Sequence, residues 1–468
     1  MLARLLVSTL LLAAAAGAAD KPNFIVLFAD DLGYGDLSVY GSPNIRTPRI
    51  DRLAAEGVKL TDFYAVSPVC TPSRAGLLTG RYPVRSGMVR VLFPREEAGL
   101  PASEVTVAEA LQKQGYATAL IGKWHLGDRP EHSPLRHGFD VRFGLPFSND
   151  MTRPHTTWPE PLRLYTQDDV LEEGVDQATL TRRYVDRAIA FVEENRQKPF
   201  FLYLPFSMPH WPWFATEEFD GRSPKGPYGD AIEEIDANVG RLLDALDRLG
   251  LREDTLVVFT SDNGGSGRQG AGSNGTLRGF KGQVYEGGMR EPFLVRWPGK
   301  VPAATVRHGI ACTMDLFPTL VKLAGGAPPS DRPFDGLDIG SLLWGDGSSP
   351  RRDLYYWSHN WESEPQLLAV REERWKLHFK DLYEWPQKTF QATELYDLEE
   401  DPSERFDLKA DHPEIVERLT AKAKKFHAET EMGALPPVHF PPGSPGSPRN
   451  GGVSRAEQRA KAKAGKTP

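Results

Sequence analysis

Cys70 precedes a segment whose residue types favour a short helix. Pro72 suits the first turn of a helix, and residues 74–79 continue the helical run until Gly80 ends it. A cysteine in the turn before a helix faces the positive end of the helix dipole, which favours a reactive sulfur. Arg74 would lie about one turn further on, near enough to hold an anion beside Cys70. A lone cysteine is more often a small buried hydrophobe, so this pattern alone leaves both interpretations open.

Four short apolar runs predict strands that are buried on both faces. They lie at residues 23–29, 116–121, 200–204 and 255–260. Side chains that can do chemistry follow these runs: Asp30, Asp31, Lys123, His125, His210, Asp262 and Asn263. Predicted helices separate the strands, which indicates an α/β fold with a large, mostly parallel sheet between two helical layers. Ligands in such folds bind at the carboxyl ends of the strands, so these side chains are expected to share one site.

The acidic members of this group suggest a metal site. Asp30, Asp31, Asp262 and Asn263 all offer oxygen ligands, which suit calcium or magnesium. No histidine or thiol donor is expected in this oxygen group, so zinc is disfavoured. The same residues also occur in ordinary turns, and spacing alone does not decide between the two interpretations.

Several segments resemble the type I, formylglycine-dependent sulfatases of the alkaline phosphatase superfamily. Residues 70–81 carry their Cys-x-Pro-Ser-Arg signature and the Leu-Thr-Gly-Arg tail that usually follows it. Residues 122–127 and 279–288 resemble two further recurrent sulfatase segments. The similarity extends from about Asp20 to about Phe406 and is closest to the arylsulfatase A and N-acetylgalactosamine-6-sulfatase branch. The resemblance implies a sulfuric ester hydrolase that releases sulfate from a sulfate monoester.

The resemblance also implies the identity of the site residues. Cys70 would be converted to formylglycine by a formylglycine-generating or anaerobic sulfatase-maturating enzyme, and its hydrated aldehyde would be the nucleophile. The implied ligands of a bound calcium, preferred over magnesium, are Asp30, Asp31, Asp262, Asn263 and the modified residue 70. Arg74, Lys123 and Lys281 would neutralise the sulfate oxygens. His210, with Lys281, would protonate the departing oxygen, and His125 would accept a proton from the second hydroxyl. Ser148 matches a substrate-binding serine of the family.

Two other functions remain open at the level of sequence. A phosphonate or phosphate ester hydrolase of the same superfamily would share the cysteine signature and the metal site. A non-catalytic, glycan-binding relative would keep the fold with Cys70 never modified.

The natural substrate could be a sulfated carbohydrate or an aryl sulfate. Trp211 and Trp213 lie beside His210, and indoles can stack on sugar faces, although tryptophan is also ordinary packing near a site.

The N-terminus has the features of an export signal. Arg4 precedes an apolar run at residues 5–16 and the small residues 16–19, which predicts a signal peptide over 1–19 with cleavage near Ala18 or Ala19. The run is too short to span a bilayer, and no later stretch is a candidate span. We therefore expect an exported protein, periplasmic or extracellular. It contains two cysteines, and no disulfide between Cys70 and Cys312 is expected. The absence of most cysteines of the related branch suggests a bacterial origin.

Composition changes towards the C-terminus of the 468 residues. We expect a catalytic domain over 20–350 and a subdomain over 351–436 with short antiparallel strands near 354–357, 375–379 and 394–398 and a helix over 412–429. Residues 437–468 form a basic tail that is expected to be disordered, either as a patch for anionic glycans or as a solvated end. The net charge is −7, so no general binding of nucleic acid is expected.

Overall fold

The computed structural model describes residues 21–156, 158–359, 365–380 and 390–434. The predicted signal peptide and the predicted basic tail lie outside these residues. Within the described residues, no helix is both long enough and apolar enough to cross a membrane.

The four predicted strands are neighbours in the centre of one large sheet. Its eleven strands are β1 (Asn23–Ala29), β2 (Gly57–Tyr64), β3 (Ala117–Ile121), β4 (Val141–Gly144), β5 (Arg163–Thr166), β6 (Asp169–Glu173), β7 (Phe200–Pro205), β8 (Thr255–Ser261), β9 (Arg290–Arg296), β10 (Thr305–Arg307) and β11 (Ala311–Cys312). The order across the centre is β8-β1-β7-β3, and each adjacent pair is parallel. All residues of these four strands are buried, which confirms the interpretation of the apolar runs.

Helices cover both faces of this sheet, as predicted. The α-helices among the described residues are α1 (Pro48–Ala55), α2 (Cys70–Thr79), α3 (Pro83–Ser86), α4 (Val107–Gln112), α5 (Leu180–Glu194), α6 (Gly226–Arg248), α7 (Glu286–Met289), α8 (Leu316–Leu323), α9 (Gly340–Leu343) and α10 (Pro413–Glu429). One apolar core contains residues of α1, α5 and α6, and a second contains residues of α2, α4 and α8. Alternate residues of β1 enter the two cores, so the fold is a sheet between two helical layers.

Helix α2 begins earlier than the sequence suggests. Val69 is its N-cap, Cys70 is its first residue, and Pro72 lies within the first turn, where its missing N–H breaks no helical hydrogen bond. Gly80 ends the helix in the left-handed conformation, with φ of 67°. Cys70 and Cys312 are both buried free thiols, which confirms the expectation of no disulfide.

A second, four-stranded antiparallel sheet follows the large one. Its strands, in order, are β12 (Asp353–Trp357), β13 (Leu367–Glu372), β14 (Trp375–Phe379) and β15 (Ala392–Asp397). Three of these strands and α10 match the sequence-based expectation, whereas β13 was not predicted. The core of this subdomain is continuous with that of the large sheet, because Tyr64 of β2 packs into it. The subdomain is therefore fixed against the part of the fold that carries α2.

Candidate active site

The polar side chains that follow the parallel strands lie at the carboxyl edge of the large sheet. They are Asp30 and Asp31 after β1, Lys123 and His125 after β3, Ser148 after β4, His210 after β7, and Asp262 and Asn263 after β8. Cys70 reaches the same edge from the first turn of α2, and Lys281 reaches it from the loop before α7. The contacts described below connect these residues into one site.

Two buried carboxylates in this site pair with buried cations. Arg74 donates from Nη2 and Nε to Asp262 Oδ2 at 2.7 and 3.1 Å, and its Nη2 also lies 3.5 Å from Asp30 Oδ1. Lys123 Nζ donates to Asp30 Oδ2. All four side chains are fully buried. Burial opposes the ionisation of Asp30, but the charges of Lys123 and Arg74 outweigh it and lower the pKa of that carboxyl.

Cys70 lies between a carboxylate and a cation. Its Sγ is 3.5 Å from Asp30 Oδ1 and 3.4 Å from Lys281 Nζ, and Lys281 Nζ is 2.7 Å from Asp31 Oδ1. Burial raises the pKa of the Cys70 thiol well above its ordinary value, although Lys123 and Lys281 act in the opposite direction. Complete burial therefore opposes a thiolate at the unmodified Cys70, which was one of the two interpretations that the helix pattern left open.

His210 faces the acidic group with one ring nitrogen. Its Nε2 lies 3.7 Å from Asp31 Oδ2, and its Nδ1 lies 3.0 Å from Asn149 Oδ1 and 2.6 Å from the carbonyl oxygen of Trp211. Burial and the nearby Lys281 charge lower the pKa of His210. Two acceptors at Nδ1 favour the tautomer that carries its hydrogen there. Nε2 is then the nitrogen that can exchange a proton with a ligand in the site.

Ser148 connects two of the candidate catalytic residues. Its Oγ accepts a hydrogen bond from Lys123 Nζ at 3.2 Å and lies 3.3 Å from His210 Nδ1. The structure therefore places this serine inside the site, where a hydroxyl can both donate and accept.

His125 is buried beside α2. Its ring contacts the carbonyl oxygen of Leu92 through Nε2 at 3.0 Å and packs edge-on against Phe147, and its main-chain carbonyl accepts from Thr71 Oγ1 at 3.0 Å. These ring contacts do not include the carboxylates. Burial lowers the pKa of His125, so the neutral ring donates to Leu92 and leaves Nδ1 to accept a proton.

The acidic group forms a compact set of possible metal ligands. Asp30, Asp31, Cys70 and His210 each offer a ligand atom, and these atoms lie within 4.8 Å of one another. The presence of His210 differs from the expectation that no histidine belongs to the group. It arises because β1 and β7 are adjacent strands, so the segments that follow them meet.

The other two expected ligands are attached to this set through Asp31. The Asp31 amide donates to Asp262 Oδ1 at 3.1 Å, and Asn263 Nδ2 donates to Asp31 Oδ1 at 2.8 Å. Asn263 Oδ1 is buried and has no partner among the described residues. Burial and the adjacent Asp30 raise the pKa of Asp262. A hard divalent cation would satisfy the amide oxygen and favour ionised carboxylates, so these residues fit such an ion.

The comparison with protein families decides the class of this site. The family model described as Sulfatase matches residues 22–327, and the model described as N-sulphoglucosamine sulphohydrolase, C-terminal, matches residues 279–429. The chain belongs to the sulfatase family. The resemblance predicted from residues 70–81, 122–127 and 279–288 is confirmed.

Individual sulfatases are similar over most of the chain. It is 41% identical to arylsulfatase A of Homo sapiens over 88% of this chain and 89% of that protein. It is 41% identical to N-acetylgalactosamine-6-sulfatase of Canis lupus familiaris over 78% of this chain and 73% of that protein. The crystal structure of PsFucS1 sulfatase from Pseudoalteromonas sp. is 33% identical, with a TM-score of 0.75, and the match covers 87% of this chain and 89% of that one.

These relatives decide the reaction class that the sequence left open. The sulfatase family match and the arylsulfatase and N-acetylgalactosamine-6-sulfatase relatives identify the chain as a sulfuric ester hydrolase. They favour sulfate ester hydrolysis over phosphonate or phosphate ester hydrolysis, and an enzyme over a glycan-binding relative.

The C-terminal subdomain of this sulfatase fixes the loop that carries Lys281. Before the loop, Arg278 lies 3.4 Å from Glu394 Oε1 and donates to the hydroxyl oxygen of Tyr396 at 2.8 Å. After the loop, the Tyr285 hydroxyl donates to Glu394 Oε2 at 2.6 Å. Both ends of the loop are therefore held by one strand, β15.

A buried ion network continues this attachment. Lys376 Nζ lies 2.8 Å from Glu286 Oε1 and 3.0 Å from Glu404 Oε1, and all three side chains are fully buried. The Glu286 amide donates to Glu404 Oε2 at 2.6 Å. Burial opposes the ionisation of Glu286, but Lys376 and Arg290 lower the pKa of that carboxyl. The segment immediately after the Lys281 loop is thus held by Lys376 of β14 and by Glu404, which follows β15.

Three features near this sulfatase site were not predicted. His359, which follows β12, has its ring beside Gly282. Asn149 contacts His210, and Arg268 stacks on Trp211. Asn149 lies within the segment that contains Ser148, which could have drawn attention to it. His359 and Arg268 carry no recognisable sequence signal, because each is isolated in a loop.

Proposed function

We propose that this sulfatase acts on sulfated carbohydrates, with a formylglycine made from Cys70 as nucleophile and calcium as the resident ion. The observation that supports the modification is the position of Cys70. Its Sγ lies between Asp30 and Lys281 at the centre of the polar residues, yet burial raises the pKa of the thiol. An unmodified thiol at this point is therefore poorly suited to attack.

The proposed calcium ligands are carboxylate and amide oxygens, and magnesium is the less favoured ion. They are Asp30, Asp31, Asp262, Asn263 and the modified residue 70. When both groups are present, calcium would stabilise negative charge on the sulfate oxygens, and the hydrated formylglycine would supply the attacking hydroxyl. The buried Asn263 Oδ1, which has no partner among the described residues, supports its assignment as a ligand.

Three cations of the chain would bind and orient the sulfate group. Arg74, Lys123 and Lys281 already converge on the three carboxylates, and each would donate hydrogen bonds to the sulfate oxygens. Because Arg74 and Lys123 are fully buried, their charges are poorly screened and act strongly on an anion in the site.

Two histidines would handle protons. His210 would hold a proton at Nε2 and donate it to the departing oxygen, with Lys281 beside it; a bound anion favours the charged ring. Ser148 Oγ, between Lys123 and His210, would keep these two groups in position. His125 would accept a proton at Nδ1, the nitrogen that its contact with Leu92 leaves available.

The formylglycine proposal is tested by mass spectrometry together with turnover of nitrophenyl sulfate. Protein co-expressed with a maturating enzyme should show loss of the Cys70 thiol, and activity should rise in proportion to the modified fraction. The Cys70→Ala variant should have no activity. Cys312→Ala, which removes the other buried thiol away from the site, is the matched control and should retain activity. Full activity with an intact Cys70 would contradict the proposal.

The remaining aspects of the proposal concern the biology of the chain. A formylglycine-generating or anaerobic sulfatase-maturating enzyme would be its partner in maturation. Export to the periplasm or the cell exterior is supported by the signal-like residues 1–19, and a bacterial origin is supported by the absence of most cysteines of the related branch. The division into a catalytic domain, 20–350, and a subdomain, 351–436, stays a prediction.

A further inference from the structure

The part of the substrate that leaves as an alcohol must lie beside the group that protonates it. In the proposed function, this group is His210 with Lys281. The border of the site on this side is formed by the residues that adjoin them in sequence, Trp211 and Phe280. A third loop contacts both Trp211 and Phe280. It contains Arg268, which lies five positions after the proposed ligand Asn263.

Arg268 and Trp211 form a stacked pair at this border. The guanidinium carbon of Arg268 lies 3.7 Å from the centroid of the Trp211 ring, and His155 contacts the same indole edge-on, with ring centroids 5.4 Å apart. Arg268 is exposed, and no carboxylate among the described residues forms an ion pair with it. Stacking orients a guanidinium while leaving its N–H groups available to a ligand.

The loop that presents Arg268 is attached to the loop that presents Lys281. The Lys281 amide donates to the carbonyl oxygen of Gly265 at 3.1 Å. Gly267 has a φ of 63° and packs against the ring of Phe280, so closely that a Cβ atom there would lie 2.7 Å from it. Phe280 remains 46% exposed. An exposed aromatic ring and an arginine without a carboxylate partner therefore border the site together.

We propose that Arg268, Trp211 and Phe280 form a subsite for the sugar that carries the scissile sulfate, and that Arg268 binds a second anionic group on the sugar or on its neighbour. This assignment rests on the proposed function, because His210 defines the leaving-group side. Aromatic rings suit the apolar faces of a sugar, whereas a guanidinium suits the planar or tetrahedral oxygens of a carboxylate or a second sulfate. The substrate class is thus a carbohydrate with at least two anionic groups.

The proposal is tested by competition against nitrophenyl sulfate. The probes are N-acetylgalactosamine 6-sulfate, N-acetylgalactosamine 4,6-disulfate, and a disaccharide that links a uronic acid to N-acetylgalactosamine 6-sulfate. The doubly charged probes should have inhibition constants about two- to fivefold below that of the singly charged probe, as expected for one accessible charge pair. Which doubly charged probe binds more tightly distinguishes a second sulfate from a carboxylate. The difference should shrink as salt is added.

Three variants identify the group responsible. Arg268→Gln should remove the preference for doubly charged probes, and Arg268→Lys should restore part of it. Arg405→Gln is the matched control, because Arg405 is an exposed arginine over a different ring, that of Phe406, in the C-terminal subdomain. It should leave the preference unchanged.

The outcomes separate this inference from the proposed function. The subsite is refuted if wild-type enzyme shows no preference, if the preference survives in Arg268→Gln, or if Arg405→Gln removes it equally. Absence of sulfate release from nitrophenyl sulfate and from all three carbohydrate probes by fully modified wild-type enzyme would instead contradict the proposed function. In that case the same probes are compared by calorimetry with the unmodified protein, and the same ratios decide the role of Arg268.

Discussion

Removal of the Lys376 charge should destabilise the protein and reduce activity together. Lys376 Nζ lies within 3.0 Å of both Glu286 and Glu404, and none of the three side chains is exposed. In Lys376→Met, two buried carboxylates lose their shared cation, and breaking a buried ion pair in this way costs about 3–5 kcal/mol. We expect the free energy of unfolding in urea to fall by about that amount. Because Glu286 follows the Lys281 loop, kcat/KM for nitrophenyl sulfate should also fall under conditions where the variant is fully folded.

A double-mutant cycle and an exposed control make this prediction specific. Glu286→Gln removes one of the two carboxylates, so the double variant Lys376→Met/Glu286→Gln should be less destabilised than the sum of the single variants. Lys322→Met is the control, since Lys322 pairs with Asp338 but is 72% exposed, so its loss should leave the free energy of unfolding almost unchanged. A Lys376→Met variant within about 1 kcal/mol of wild type, or strictly additive effects in the cycle, would refute the reasoning.

Three further predictions concern the site and the pH dependence of stability. Ser148→Ala removes a hydroxyl that contacts Lys123 and His210 and should lower kcat/KM about 100-fold, the usual effect of losing one preorganised polar group; a change of less than twofold would exclude such a role. Chelation should reduce activity and calcium should restore it, and Asn263→Leu should weaken calcium binding measured by calorimetry; indifference to both treatments would argue against the metal site. Burial lowers the pKa of His137 to about 4, below its value of about 6.5 in an unfolded chain, so the folded state binds this proton less readily. Its contribution to stability is therefore complete above pH 6.5 and is lost as the pH falls towards 4. Urea unfolding should show a loss of about 2 kcal/mol between pH 7 and 5 that is absent in His137→Gln.

The centre of the sheet could be predicted because its strands are apolar on both faces. Strands β1 and β8 match the predicted runs closely, and their parallel pairing brings Asp30 and Asp262 together. Strand β9 was not predicted, because Arg290 and Arg296 form its two ends and leave only a short apolar stretch between them. Both arginines are buried in ion pairs whose partners come from distant segments, such as Asp62 for Arg290. The hydropathy pattern along the chain does not show which distant carboxylates pair with these arginines.

In the candidate site, too, the sequence predicted the position of some residues but not all of their properties. Asp30, Asp31, Lys123 and His210 could be placed from the ends of strands, since adjacent parallel strands bring their carboxyl ends together. The burial of Cys70, which raises the pKa of its thiol, could not be deduced from a local pattern.

Aromatic residues could not be assigned to the substrate from sequence either. Trp357 belongs to β12 and stacks on His427, and Trp158 is buried against Phe93, so packing accounts for both indoles. Packing partners from other parts of the chain decide whether an indole is available to a ligand.

The pairing of charges in the site bears on the proposal that a metal ion and a sulfate ester bind there together. Three ion pairs form in the site: Asp30 with Lys123, Asp262 with Arg74, and Asp31 with Lys281. Each carboxylate therefore neutralises a cation that is proposed to bind the sulfate oxygens. A divalent cation that takes over the carboxylates would release the side chains of Lys123, Arg74 and Lys281 to face an anion. The bound anion would in turn offset the positive charge that the metal adds. In the proposed function, binding of either group would therefore favour binding of the other, and the carboxylates proposed to hold the metal would keep the cations in place until a substrate arrives.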